Sequence, residues 1–85
     1  MRTLKFSPES WGDYVYWQKT DKKTVKKINE LIKDCQRNPF EGIGKPEPLK
    51  GNLSGWWSRR INDADRMVYR IADTTLEISS LRYHY

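Results

Sequence analysis

The chain has 85 residues, of which 36% are hydrophobic, 32% charged and 13% aromatic, and its net charge is +5. This length predicts one domain over residues 1–85 and excludes a deep, enclosed active site, so any chemistry must lie on a surface or in a shallow groove. The single cysteine, Cys35, excludes an internal disulfide. With no apolar run of signal-peptide or membrane-span length, we expect a cytoplasmic protein.

The chain begins with a predicted strand and a first helix. Residues 2–6 alternate in polarity, as a short strand does. Ser7 then provides an N-cap and Pro8 a first helical position for a helix that ends near Thr20. The expected apolar side of this helix consists of Trp11, Tyr14, Val15 and Trp17.

A second helix is predicted from its N-cap, Asp21, to about Asn38. Its apolar residues form one stripe at helical spacing: Val25, Ile28, Leu31, Ile32 and Cys35. The almost loop-free junction predicts an antiparallel helical hairpin. Residues 19–37 hold seven basic and three acidic side chains, so the rest of this surface is either a plain solvated face or a face that binds a polyanion.

The C-terminal half predicts a sheet. A crossing rich in Gly and Pro over residues 39–55 contains a brief strand near residues 47–50. Strands over residues 56–61, 66–72 and 76–83 are joined by short turns, which predicts an antiparallel meander. The fold class is therefore α+β, with a helical hairpin packed on one face of a small, mostly antiparallel sheet in the order β-α-α-β-β-β-β, because the apolar stripe must be covered.

Alternation along the strands assigns side chains to the two faces of this sheet. Met67, Tyr69 and Ile71 most simply face the helices, which leaves Arg66 and Arg70 on the open face. Five arginines fall on adjacent strands: Arg59, Arg60, Arg66, Arg70 and Arg82. They either bind phosphate or pair with acidic residues of the turns and strands. The last strand does not alternate cleanly, and a β-bulge would resolve this.

Three residues supply the kinds of group that metal-independent RNA cleavage needs. Glu47 is a carboxylate between two prolines, Arg66 is a cation, and His84 is the one imidazole of the chain. Such groups can remove the 2′-hydroxyl proton, stabilise a pentacovalent phosphorus and protonate the leaving 5′-oxygen. The alternatives are a rigid turn at Glu47 and an exposed or packed terminal residue at His84. No cluster in the sequence suggests a metal or another cofactor.

A specific pattern runs through residues 44–50 (GKPEPLK), 53–55 (LSG), 57–61 (WSRRI), 66–69 (RMVY) and 82–85 (RYHY). It closely resembles the YoeB-type toxins of the RelE/ParE superfamily of toxin–antitoxin systems. Residues 16–22 and 26–32 match as well, so the resemblance covers essentially the whole chain. Two departures are the doubled aromatic Trp56-Trp57, where one Trp after a variable residue is expected, and Leu81, where relatives often carry Cys.

The resemblance implies a RelE/ParE-like fold and a ribosome-dependent mRNA endonuclease, which cuts mRNA in the ribosomal A site and stops translation. The implied roles are general base for Glu47, general acid for His84 and transition-state stabilisation for Arg66. Tyr85 would orient the scissile nucleotide or the acid. The expected products are a 5′-hydroxyl and a 2′,3′-cyclic or 3′-phosphate, with no cofactor.

The resemblance also implies RNA contacts by basic residues. Lys50 and Arg60 would hold phosphate, and the open-face arginines, with Arg59 among the predicted RNA-binding residues, would meet mRNA. The basic side chains of the second helix that would face ribosomal RNA are Lys22, Lys23, Lys26 and Lys27.

The partners implied by the resemblance are a YefM/Phd-type antitoxin, the ribosome and mRNA. The antitoxin's C-terminal segment would cover the toxin and remodel its tail, and the toxin alone would form a homodimer. The complex would repress its own operon, so DNA is contacted only through the antitoxin, and no membrane is involved. Two alternatives remain open: a protein of this fold that binds the ribosome or RNA without cutting, and a ParE-like gyrase inhibitor.

Overall fold

The computed structural model describes residues 2–83 and contains two helices packed on a five-stranded mixed sheet. The helices are α1 (Pro8–Thr20) and α2 (Lys22–Arg37). The strands are β1 (Thr3–Phe6), β2 (Glu47–Pro48), β3 (Trp57–Arg60), β4 (Arg66–Ala72) and β5 (Thr75–Ser80), and a short 3-10 helix spans Gly51–Leu53. The spatial order is β1-β5-β4-β3-β2, with β1 parallel to β5 and the other described pairs antiparallel. The predicted α+β class is confirmed.

Both predicted helix starts are confirmed. The Ser7 hydroxyl accepts a hydrogen bond from the Ser10 N–H at 3.0 Å, and the Asp21 carboxylate accepts one from the Lys23 N–H at 3.0 Å. These contacts satisfy N–H groups that the first turn of a helix leaves without a partner. Between the helices, the Tyr14 hydroxyl donates to the Asn29 side chain at 2.8 Å, which ties the hairpin together.

Helix α2 uses the predicted apolar stripe. Ile28, Leu31, Ile32 and Cys35 are buried against the sheet, while Val25 is half-buried. The sheet contributes Met67, Tyr69, Leu76 and Ile78 to the same core, and the predicted helix-facing side of β4 is confirmed. Burial of this stripe supplies most of the apolar contact between the helical layer and the sheet.

The prediction for helix α1 is wrong in part. Trp11 is 52% exposed, whereas Trp17 is buried and the small polar Ser10 is completely buried. Trp11 lies instead in an outer aromatic group with Phe6 and Tyr14, at ring separations of 5.5 and 5.9 Å. Ser10 is buried because it faces the last strand, where the Ile78 carbonyl accepts a hydrogen bond from its hydroxyl.

Strand β5 ends at Ser80, three residues earlier than the sequence predicts. Tyr69 pairs with Ile78 but Val68 pairs with Ser80, so Ser79 is an extra residue on β5. This is the β-bulge that the irregular alternation called for. One further pair, Val68 with Ser80, follows the bulge, and residues 81–83 leave the sheet.

Candidate functional site

The open face of the sheet, opposite the helices, carries Glu47. Glu47 pairs with Ser58, Ser58 with Val68, and Val68 with Ser80. Directly paired residues project to the same side of a sheet, so these four form one row across β2, β3, β4 and β5. Glu47 is exposed at the end of this row. The short strand β2 therefore presents the predicted base on the open face.

Arg66 lies on the same face as Glu47. It pairs with Arg60, and that pair is two residues along β3 from Ser58. The backbones of Glu47 and Arg66 are thus separated by two strand spacings, about 10 Å, and by two residues, about 7 Å, along the strands. The two predicted catalytic residues therefore share one face of the sheet, which also carries the exposed Arg60.

The Arg66 guanidinium is held by the turn that precedes β4. Its Nη1 atom donates to the carbonyl oxygens of Asn62, Asp63 and Asp65 at 2.7, 3.3 and 3.1 Å. Only 8% of the residue is exposed. Neutral carbonyl groups orient the guanidinium without cancelling its charge, and this preorganisation suits a cation that must meet a developing negative charge.

Arg59 points the other way, into the core. It is completely buried, and its guanidinium forms an ion pair with the Asp34 carboxylate at 2.7 Å. The same group donates to the carbonyl oxygens of Asn38, Glu41 and Ile43 at 2.5, 2.9 and 3.1 Å. The structure contradicts the expected RNA contact by Arg59, because its side chain has no exposed surface. Arg59 instead organises the loop over residues 38–44.

We call Arg59, together with the groups that it binds, the loop anchor. Burial and the charge of the guanidinium shift pKa values in and around it. The hydrogen bond from Arg59 lowers the pKa of Asp34 from its ordinary value of 3.8. Burial raises the pKa of Tyr69 to about 12, and its hydroxyl donates to the Pro39 carbonyl at 2.6 Å. Burial also raises the pKa of Cys35, which therefore stays a thiol at neutral pH.

The end of this loop needs a glycine. Gly44 has φ +81°, and a Cβ there would lie 2.6 Å from a Leu31 methyl carbon. The Gly44 carbonyl accepts from the Arg60 N–H at 2.7 Å, which joins the loop to β3 just before the chain turns into β2. The predicted base is therefore delivered by a segment that is fixed at several points.

The bulged end of β5 is fixed from helix α1. The hydroxyls of Ser7 and Ser10 donate to the carbonyl oxygens of Ser79 and Ile78 at 2.9 and 2.7 Å. Sequence reasoning missed Ser10, because a small polar residue is not expected in a core. The available signal was the helical spacing of Ser7, Ser10, Asp13 and Trp17.

The tail over residues 81–83 is held by two carboxylates and an indole. The Leu81 N–H donates to Asp13 at 2.9 Å, and Trp17 Nε1 donates to the Leu81 carbonyl at 2.9 Å. The Tyr83 N–H donates to Asp65 at 2.7 Å, and the Arg66 N–H donates to the Tyr83 carbonyl at 3.2 Å.

Tyr83 adopts φ +65°, an uncommon conformation for a residue other than glycine. Its backbone contacts with Asp65 and Arg66 hold it there, so the described chain ends beside Arg66. His84 and Tyr85 lie outside the described residues, and their catalytic roles remain predictions.

The remaining arginines of the predicted set have separate contacts. Arg70 donates to the Glu77 carboxylate at 2.6 Å, which confirms the cross-strand pairing alternative for this residue. Arg82 lies in the tail, not on a strand, with its guanidinium carbon 3.6 Å from the Tyr16 ring centroid and 4.7 Å from that of Tyr83. Only part of the arginine set is therefore available on the open face.

The predicted RNA-binding lysines divide between two sides of the molecule. Lys50 is exposed two residues after the end of β2 and three residues after Glu47. The lysines of α2 lie on the helical layer, which covers the opposite face of the sheet; Lys22, Lys23 and Lys26 are exposed and Lys27 is half-buried. One short RNA segment cannot reach both groups.

Two kinds of feature are absent from residues 2–83. Within that range, no three His, Cys, Asp or Glu side chains are grouped closely enough to share a metal ion. No helix there is both long and apolar enough to cross a membrane.

Known proteins resemble this chain both in sequence and in fold. Toxin YoeB of Escherichia coli K12 is 66% identical over 82 residues, which are 96% of this chain and 98% of that protein. The YoeB/ParE toxin structure from Agrobacterium tumefaciens superposes with a TM-score of 0.94 at 49% identity, covering 98% of this chain and 99% of that one.

Two structures from Staphylococcus aureus are assemblies. The YoeB dimer matches with a TM-score of 0.92 at 54% identity, over 99% of this chain and 98% of that one. The heterotetrameric YoeB–YefM toxin–antitoxin complex matches with a TM-score of 0.91 at 53% identity, over 100% and 99% of the two chains. The family model for the YoeB-like toxin of bacterial type II toxin–antitoxin systems matches residues 6–85, and the chain belongs to this family.

Proposed function

We propose that this toxin is a ribosome-dependent mRNA endonuclease that cuts mRNA in the ribosomal A site and so inhibits translation. The observation that carries the proposal is the shared open face of Glu47 and Arg66, onto which the backbone of residue 83 also leads. A carboxylate and an oriented cation bordering one shallow surface suit a substrate that is an extended strand, since a deep pocket is not required.

The reaction is a transesterification within the RNA. Glu47 accepts the 2′-hydroxyl proton, and the 2′-oxygen attacks the adjacent phosphorus. Arg66 stabilises the pentacovalent phosphorane, in which negative charge increases on the non-bridging oxygens. His84 donates a proton to the leaving 5′-oxygen as the P–O5′ bond breaks, and Tyr85 orients the nucleotide or the acid. The products are a 2′,3′-cyclic phosphate, which hydrolysis converts to a 3′-phosphate, and a 5′-hydroxyl.

Basic residues bind the RNA in this proposal. Lys50 and Arg60 hold phosphate groups beside Glu47, since both are exposed near the open face. The lysines of α2 contact ribosomal RNA on the other side of the molecule. This division suits a protein that must bind between mRNA and a ribosomal wall, and both contacts would weaken with increasing salt.

The proposed protein partner is a YefM-type antitoxin, and the free toxin is proposed to be a homodimer. Support comes from the Staphylococcus aureus relatives, one a YoeB dimer and the other a heterotetramer with YefM. The antitoxin would cover the toxin in the cytoplasm, and the toxin–antitoxin complex would repress its own operon.

The decisive experiment uses one defined mRNA, either free or bound to ribosomes with an empty A site. The wild-type toxin should cut only the bound mRNA, in the A-site codon. Replacing Glu47 with Gln or His84 with Ala should slow cleavage by about 100-fold or more, as loss of an acid or base does.

The matched control is Glu30→Gln, an equivalent change at an exposed position of α2 that has no proposed role. It should cleave like the wild type. Translation that stalls without any cut would replace the endonuclease with a non-cleaving ribosome binder. DNA damage signalling without mRNA cleavage would instead indicate gyrase inhibition.

A further inference from the structure

Trp56, the first residue of the doubled aromatic, lies on the open face of the sheet. Alternation puts it on the same side of the chain as Ser58, the residue that pairs with Glu47. Its carbonyl accepts from the Leu49 N–H at 2.9 Å, so the residue that follows β2 lies alongside Trp56. The Trp56 side chain is half-buried. It is therefore an aromatic group next to the proposed base, without a role in the reaction.

Arg70 covers the Trp56 ring and is itself held in place. Its guanidinium carbon lies 4.6 Å from the ring centroid, and its Nε donates to Glu77 at 2.6 Å. Glu77 also has Lys5 at 3.7 Å from its second carboxylate oxygen. Lys5, Glu77 and Arg70 are paired residues on three adjacent strands, so they too lie on the open face. The Arg70 guanidinium plane is thus held in place in the absence of a ligand.

A groove of about 290 Å³ opens at this cluster. Its lining includes Lys5, Ser7, Trp56, Arg70, Glu77 and Ser79. The groove and the Glu47–Arg66 surface belong to the same face, with Trp56 about 7 Å along β3 from Ser58. The arginines and lysine of this face, Arg60, Arg66, Arg70 and Lys5, outnumber its carboxylates, Glu47 and Glu77. An extended polyanion that crosses the proposed catalytic surface would also reach the groove.

We propose that Trp56 and Arg70 form a stacking site for one unpaired mRNA base that flanks the cleaved nucleotide. The proposal rests on the endonuclease function proposed above. Aromatic rings and guanidinium planes are the usual platforms for unpaired bases, and such stacking tolerates any base because each has a π-face. Ser7 and Ser79 also line the groove, where the Ser7 hydroxyl is already bonded to the Ser79 carbonyl. The site would anchor the mRNA and leave the cleavage chemistry to Glu47, Arg66 and His84.

The test measures binding apart from cleavage. In a His84→Ala background, labelled mRNA on ribosomes with an empty A site is titrated with toxin carrying Trp56→Leu or Trp56→Phe. Leu removes the π-face and should weaken binding by about 5-fold or more, the equivalent of about 1 kcal/mol per stacked base. Phe keeps an aromatic face and should bind nearly as well as Trp. Equal affinity for the Leu variant and its parent would overturn the proposal, provided that both unfold at the same temperature.

A second arm identifies the base. The mRNA is made with one abasic nucleotide at each position in turn around the A-site codon. At the stacked position, the abasic mRNA should bind the parent and the Leu variant equally, because no base remains to stack. If the Leu variant binds more weakly at every abasic position, the contact is not with an mRNA base and the assignment is wrong.

Different results would contradict the proposed endonuclease function and the proposed stacking site. Failure of the wild type to cut any mRNA would remove the endonuclease function but leave the binding difference between Leu and Phe measurable. Normal cleavage together with unchanged binding of the Leu variant would remove only the stacking site.

Discussion

Two segments lead to the proposed catalytic residues, and they are anchored by opposite chemistry. The loop over residues 38–44, which leads to Glu47, is held from inside by the Arg59 guanidinium, a buried cation that binds carbonyl oxygens. The tail over residues 81–83 is held from its flanks by Asp13 and Asp65, carboxylates that bind backbone N–H groups. Both devices replace the sheet pairing that these irregular segments lack.

The two anchors indicate that stability and activity depend on separate residues, Arg59 and Asp65. Arg59 is completely buried, so its removal leaves several acceptors and a carboxylate without their donor. The Asp65 carboxylate, although also buried, binds one N–H of the exposed Tyr83. We therefore expect Arg59, in the loop anchor, to determine whether the protein folds. We expect Asp65, which we call the tail anchor, to determine how fast the protein cleaves mRNA.

The largest expected effect is on the loop anchor. Arg59→Met removes the guanidinium while keeping similar bulk, and it should lower the free energy of unfolding by about 3–5 kcal/mol, as breaking a buried ion pair does. Urea unfolding measures this directly. The neighbouring change Arg60→Met, at an exposed position, should change stability by less than about 0.5 kcal/mol. Similar losses in the two variants would show that Arg59 is not the anchor.

The next effect concerns the tail anchor and cleavage. Asp65→Ala removes the acceptor for the Tyr83 N–H, so residue 83 is no longer fixed beside Arg66. Ribosome-dependent cleavage should slow by about 10- to 100-fold, the scale expected when a reacting group is misplaced by about 1 Å. Asp65→Asn keeps an acceptor oxygen and should restore most of the rate, which a single-turnover assay would detect. A slow Asn variant would mean that the charge, not the positioning, matters.

A smaller effect on the free energy of unfolding is expected from Ser10, the buried polar residue of α1. Ser10→Ala leaves the Ile78 carbonyl without its side-chain donor and should cost about 1–2 kcal/mol of unfolding free energy. Ser54→Ala, an exposed serine in the loop before β3, is the matched control and should be nearly neutral. If Ser10→Ala is also neutral, the Ser10 hydroxyl does not contribute to holding α1 on the sheet.

The smallest effect is the acid dependence of the loop anchor. The pKa of Asp34 is lowered in the folded state, so its pairing with Arg59 stabilises the protein above the unfolded pKa, near 3.8. That contribution is lost as the pH falls through the lower folded pKa. Urea unfolding between pH 6 and about pH 3 should show this loss, and Asp34→Asn should reduce it. An unchanged pH profile in the Asn variant would place the acid sensitivity elsewhere.

The positions of Arg66 and Arg59 show what the sequence can and cannot predict about the site. Strand alternation correctly assigned Arg66 to the open face, and the pairing of β2 with β3 brought Glu47 to that same face. Alternation along β3 puts Arg59 on the side of Trp57, opposite Ser58, so the predicted RNA contact by Arg59 does not fit its strand. Only the neighbouring carbonyls and Asp34 explain why a guanidinium can be buried there.

The sequence by itself determined the elements whose signals are local. Both N-caps, the apolar stripe of α2 and the turns between the strands depend on residues within a few positions of one another. The tertiary structure alone decided the buried polar side of α1, the end of β5 at Ser80 and the interior position of Arg59. Each of these depends on hydrogen bonds to backbone groups that are distant in sequence, such as the 68 residues between Ser10 and Ile78. No local pattern records where those carbonyl and N–H groups will lie.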